Sequence, residues 1–290
     1  MGTEALLGGR YRLDSVAGHG GMATVFSAHD TVLERKVAVK ILQRRRDETG
    51  VLHERFEREA RAEAKITHPN VVSVHDVGET DDGRPFIVMD YVEGGSLQSI
   101  IAREGALTSE RVALVGCGIA RALAAAHAIG IVHRDVKPAN VIVDAYDTAH
   151  LMDFGLARDL YEPDAGMTVA GAIVGTPFYI APEQVRFNAV SPAADLYALG
   201  CVMYHALTGE PPFTGDGAVD VAFRRFEEEP AELRAVAPAA DPDLRALIHA
   251  LLARDPVERP WDARAVAERL ADIAARLRAT RTAGETQVPL

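Results

Sequence analysis

His133-Arg134-Asp135-Val136-Lys137-Pro138-Ala139-Asn140 gathers an acid, two cations and an amide into eight residues, and Asp153-Phe154-Gly155 begins thirteen residues after Asn140. The Asp153 carboxylate and the Asn140 amide are hard oxygen donors, the pairing that phosphoryl transfer uses to hold magnesium. Asp135, just ahead of that pair, can orient an incoming hydroxyl and accept its proton. Lys137, two residues on, can neutralise the phosphoryl group in flight. Any one of these residues by itself reads as a polar turn. Their joint order across two motifs does not.

Such chemistry needs elements to position it. Val141-Ile142-Val143 and His150-Leu151-Met152 are short apolar runs either side of a polar turn, Asp144 to Thr148, so they predict a hairpin that returns Asp153 to the side of Asn140. Upstream, residues 10 to 92 offer β-branched runs at Thr24 to Ala28, Lys36 to Leu42, Val71 to Val77 and Phe86 to Met89, with one helical segment near 53 to 66. After Glu93-Gly94-Gly95 the period becomes helical, at Val112 to Ala128, Asp195 to Leu207, Pro242 to Ala253 and Asp262 to Leu277. The expectation is an α+β chain in two lobes: a small antiparallel sheet with one helix over 10 to 92, then a mainly helical lobe over 93 to 277. The segment 278 to 290, without an apolar stripe, reads as a disordered tail or the start of a juxtamembrane linker.

A second group of residues suits a nucleotide. Gly18-His19-Gly20-Gly21 lies between two strand-like runs, where a close hairpin can face its amides to phosphates. Because a strand follows rather than a helix, dinucleotide folds and P-loops are set aside. Lys40 stands on an otherwise apolar strand, Val37-Ala38-Val39-Lys40, where an ammonium needs anionic partners. Phe56, Glu59, Glu63 and Ile66 recur at helical spacing, which puts two carboxylates on an apolar face; of these Glu59 is the expected partner of Lys40, because Glu63 is nearer the end made by His68-Pro69-Asn70.

Composition bounds the rest. The 290 residues are 48% hydrophobic, enough for substantial cores, and no run of eighteen apolar residues reads as a membrane span. A net charge of −11 argues against broad affinity for nucleic acid or anionic membranes. Cys117 and Cys201 lie singly in apolar helical patterns and read as buried free thiols. The segment is expected in the cytoplasm.

In these motifs the sequence resembles the eukaryotic-like (Hanks-type) Ser/Thr protein kinases of the bacterial branch over about residues 10 to 275: glycine loop, Lys40, Glu59, the His133 to Asn140 run, Asp153-Phe154-Gly155, Ala181-Pro182-Glu183, Asp195 and Arg259 occur in the family's order. The resemblance implies a bilobal protein-kinase fold holding ATP with Mg2+ (or Mn2+) in its cleft. Gly18, Gly20 and Gly21 would cover the phosphates; Val25 and Ala38 would pack on adenine, with Met89 as gatekeeper and the backbone of Asp90 to Val92 meeting the base. Lys40 would contact the α- and β-phosphates, Asn140 and Asp153 the metal. Asp135 would be the base, Lys137 the phosphate cation, and Thr176 a bridge between them. Glu183 should pair with Arg259, and Asp195 should brace the catalytic loop.

Protein Ser/Thr hydroxyls are the implied substrates. Arg134 puts a cation beside the base, and phosphorylation at Thr168 would give it an anion that orders the segment from Leu156 to Val174. Val32 and Leu33, apolar residues at an expected exposed turn, suggest an N-lobe homodimer. Family layouts also suggest a membrane tether through a region outside this chain. Ala23 stands where a third glycine is common, Glu63 where an apolar spine residue is common, and Ala139 and His205 where arginine-directed kinases carry glutamates, so basic-residue preference is not expected. A silent pseudokinase scaffold is disfavoured because every catalytic position is filled. A small-molecule kinase of similar fold is disfavoured by Gly175-Thr176-Pro177 and Ala181-Pro182-Glu183.

Overall fold

Alternation along Arg35–Leu42 decides the first sheet: Val37, Val39 and Ile41 point to one side and Ala38, Lys40 and Leu42 to the other. In the computed structural model that strand is the middle of a five-stranded antiparallel sheet. The structure describes residues 6–20, 23–43, 51–154, 177–187, 190–215, 217–260 and 262–285. The chain divides into two compact units, 1–93 and 94–290.

The first unit contains β1 (Tyr11–His19), β2 (Ala23–Asp30), β3 (Arg35–Leu42), α1 (Val51–Glu63), β4 (Val74–Glu79) and β5 (Pro85–Asp90), in sheet order β1-β2-β3-β5-β4. Tyr11, Ala28, Val37, Val39, Ile41, Phe86 and Val88 form its core, with Leu7, Leu13 and Phe26 packed on them. Of the face expected on α1, Phe56 and Glu63 are buried, with Ile66 buried just beyond and Ala60 beside them; the Glu59 side chain lies outside the described residues. The strand expected over Val71 to Val77 starts later, at Val74. Val71 and Val72 are buried in the bend that follows His68, where the Asn70 and Val71 amides donate to His68 Nδ1 and to its carbonyl. Val71 makes only an isolated bridge and Val72 none, so apolar content at those two positions reports burial more than a continued ladder.

The second unit begins with β6 (Gly94–Ser96), α2 (Leu97–Glu104) and α3 (Ser109–His127), then β7 (Val141–Asp144) and β8 (Ala149–Leu151). It continues through α4 (Pro182–Phe187), α5 (Pro192–Thr208), α6 (Ala218–Glu227), α7 (Leu233–Val236), α8 (Pro242–Leu251) and α9 (Ala263–Glu285). Its core lies where α3, α5, α8 and α9 pack. Gly116 allows that approach: a Cβ there would meet Met203 Sδ at 2.9 Å. Cys117 and Cys201 are both buried free thiols within it, and burial pushes the Cys201 thiol up to about 12.

The last helix does not end at Leu277, where the sequence predicts a disordered tail or the start of a linker from 278 onward. α9 continues to Glu285, and Arg278 and Arg281 pair with Glu110 of α3 at 3.3 and 3.0 Å. A polar helix that lacks an apolar stripe can still dock through ions, which hydrophobic periodicity does not register. Among the described residues no helix is long and apolar enough to cross a membrane.

Candidate active site

In the second unit the site is built around the expected hairpin. β7 and β8 pair antiparallel, with Asp144 Oδ1 accepting the Tyr146 and Thr148 amides at 2.9 Å each to close the turn. The chain returns as expected: the Met152 amide donates to the Asn140 carbonyl at 3.0 Å, which sets Asp153 beside Asn140. Asn140 ends a 3-10 turn, Pro138–Asn140, started by a proline that needs no amide partner.

Around Asp135 the geometry is specific. Lys137 Nζ lies 2.6 Å from Asp135 Oδ2, and the same oxygen accepts from Asn140 Nδ2 at 3.1 Å, while that amide nitrogen also donates to the Asp135 carbonyl at 2.9 Å. The other carboxylate oxygen, Oδ1, takes no hydrogen bond among the described residues. Because Nδ2 is the donor, the Asn140 side-chain oxygen is turned away as an acceptor. With Asp153 it makes a pair of hard oxygen donors, which fits a magnesium ion. Magnesium is commonly held by one or two carboxylates together with substrate phosphates and water, so a site with few protein ligands suits it; among the described residues no group of three or more His, Cys, Asp or Glu side chains converges.

Two non-glycine residues here hold positive φ, Arg134 at 69° and Asp153 at 65°. Such backbone costs about 1 to 3 kcal/mol and needs outside support. Asp195, 1% exposed, supplies it for the first: its carboxylate accepts the His133 amide at 2.8 Å, the Arg134 amide at 2.9 Å and His127 Nε2 at 2.8 Å. His133 is fully buried, and burial lowers its pKa, so the ring stays neutral. Its Nε2 donates to the Met152 carbonyl at 3.0 Å and its Nδ1 accepts the Asp135 amide at 3.2 Å, so one ring ties Asp135 to the chain leaving β8. The ring also packs on Phe154, centroids 4.5 Å apart.

The segment around Ala181-Pro182-Glu183 is held by an ion pair and stacked rings. Arg259, with a side chain wholly shielded from solvent, forks onto Glu183 at 2.6 and 2.9 Å and donates to the carbonyls of Ala253 and Ala193 at 2.8 Å each. Tyr179 stacks on His205 and hydrogen-bonds its Nδ1 at 2.8 Å. Burial lowers the pKa of that imidazole and favours its neutral form. Three residues of this surround were not singled out from sequence. His127 at the end of α3 and Tyr179 before Ala181-Pro182-Glu183 left only weak signals, while Arg225 left none: it is 1% exposed and its guanidinium donates to the Ile180 carbonyl.

In the first unit, strand register gathers the other residues. Val25 faces Lys40, Ala38 faces Met89, and Lys40 faces Ile87, so Val25, Ala38, Lys40 and Met89 share the sheet side opposite the core. Gly18 and Gly20 lie at the β1–β2 turn, where the Gly20 amide donates to the Ala23 carbonyl at 2.9 Å. Asp90 ends β5, with Tyr91 and Val92 following in open chain. Gly21, Thr168, Thr176 and the Glu59 side chain lie outside the described residues.

Residues 11–270 match the protein kinase domain family, and the chain belongs to that family. It is 41% identical over 262 residues to the serine/threonine-protein kinase PknB of Mycobacterium tuberculosis, covering 89% of this chain and 42% of that one. It is 44% identical over 232 residues to a probable PknB of Bifidobacterium longum, covering 77% and 34%. Among solved structures, the PknI kinase domain of Mycobacterium tuberculosis superposes with a TM-score of 0.72 at 28% identity, covering 94% of this chain and 99% of that one. The fold is that of a protein kinase, with an antiparallel N-lobe sheet and a helical C-lobe. The chain spans about two-fifths of the length of the PknB relative.

Proposed function

We propose that this chain is a serine/threonine protein kinase domain that transfers the γ-phosphoryl group of ATP to protein hydroxyls. The observation that carries this reading is the Asp135 carboxylate, one oxygen fixed by Lys137 and Asn140 and the other facing no protein donor among the described residues. Asp135 Oδ1 accepts the hydrogen of the substrate hydroxyl and aims its oxygen; Lys137 places positive charge where the transferring group gathers negative charge. Asn140 and Asp153 would hold Mg2+ or Mn2+, which would supply positive charge to offset that of the phosphates. Lys40, positioned by Glu59, binds the α- and β-phosphates under Gly18, Gly20 and Gly21; Val25, Ala38, Met89 and the backbone of Asp90 to Val92 hold adenine. Thr176 bridges Asp135 and Lys137, and Thr168 is the autophosphorylation position that pairs with Arg134. Kinship with named serine/threonine kinases supports the choice of substrate class.

Intact-protein mass spectrometry of phosphatase-treated protein, before and after ATP with magnesium, tests the reading. Wild-type protein should gain phosphate-sized increments, with Thr168 among the mapped positions. Asp135→Asn should gain them at least ~100-fold more slowly, the scale of losing a general base. Equal incorporation in the two would remove Asp135 from its role.

Val32 and Leu33 support a second, assembly-level reading. Asp30 accepts both their amides, at 3.1 and 3.2 Å, and the turn so made leaves their side chains 67% and 55% exposed. We infer that this edge pairs two copies of the N-lobe.

A further inference from the structure

One irregularity of the first sheet lies beside the segment proposed to meet adenine. β4 pairs with β5 through Val74↔Met89 and then Asp76↔Val88, so His75 is one residue more than the ladder needs. A bulge of this kind re-aims a side chain. Here His75 Nε2 is 2.6 Å from Asp90 Oδ1. The same carboxylate accepts the Ser73 amide through Oδ2 at 3.2 Å, and the Asp90 amide donates to the Ser73 carbonyl at 3.0 Å. Burial acts to raise the Asp90 pKa, but His75 and the Ser73 amide outweigh it and hold it below the usual carboxylate value. The carboxylate is therefore an acceptor, and Nε2 carries the hydrogen. The next residue is tied to the strand on the other side: Lys36 of β3 places its ammonium 3.8 Å from the centroid of the Tyr91 ring. Successive residues at the end of β5 are thus fixed to both neighbouring strands.

We propose that His75 is a positioning residue for nucleotide binding, clamping the Asp90 carboxylate from the β4 bulge and so presetting the Asp90 to Val92 backbone for adenine. This rests on the kinase reading above. A segment ordered beforehand spares the ordering cost at binding, so losing the clamp should weaken nucleotide affinity more than turnover. The test compares wild type, His75→Phe and His75→Gln by calorimetric titration with ATP and magnesium, by KM for ATP and kcat on a generic protein substrate, and by thermal melting. The Phe variant should raise Kd and KM together by about fivefold, in the range of one lost hydrogen bond, with kcat within about twofold. The Gln variant, which keeps a donor, should recover most of the affinity. Unchanged Kd and KM in His75→Phe, or equal loss in Phe and Gln, would overturn the clamp while leaving the kinase reading standing. A wild-type protein that neither binds ATP nor transfers phosphate would overturn both.

Discussion

Asp195 shows how one buried acid can hold a catalytic turn. Its three accepted hydrogen bonds offset the cost of Arg134 at positive φ, and each buried amide left bare by its removal would cost about 1 to 3 kcal/mol. The Glu183–Arg259 pair is the second such anchor. A single truncation there strands a charge with no solvent to receive it. Glu183→Ala or Arg259→Ala should therefore lower unfolding free energy by about 3 to 5 kcal/mol, read from urea titrations. A loss below about 1 kcal/mol would mean that the surrounding carbonyls already satisfy the guanidinium.

Elements carry two further expectations. The β2–β3 turn is closed by Asp30, whose hydrogen bonds from Arg10 at 2.8 and 2.7 Å lead the forces that outweigh burial and hold its pKa far below the usual carboxylate range. A depressed folded pKa contributes stability that is complete above the unfolded value, about 3.9, and is lost as pH falls below it toward the folded value. Denaturation midpoints should thus fall between about pH 4 and pH 2, and Asp30→Asn should flatten that part of the profile. At the other end, the last turns of α9 are held by Arg278 and Arg281 on Glu110. Both arginines are more than half exposed, so removing 278 to 290 should cost no more than about 1 kcal/mol, a few degrees at most in Tm. A larger drop would show that the extension packs as well as pairs.

For the whole molecule, the proposed N-lobe pairing makes mass depend on concentration. Sedimentation of wild-type protein should show monomer giving way to dimer as concentration rises, and Val32→Asp with Leu33→Asp should remain monomeric with an unchanged melting temperature. A monomer at every concentration would discard the pairing. The sequence by itself determined the order of the motifs, the α+β division near Glu93, the hairpin carrying Asp153 to Asn140 and the buried helix faces. These follow from local rules: side-chain period, turn chemistry, and acids and amides at short spacing. Tertiary structure decided what joins distant segments. Arg225 reaches the carbonyl of Ile180, Glu110 the end of α9, and His75 gains its aim only from the register of β4 on β5. No periodicity encodes those contacts, because a long polar side chain finds its partner only after packing has fixed where both backbones lie.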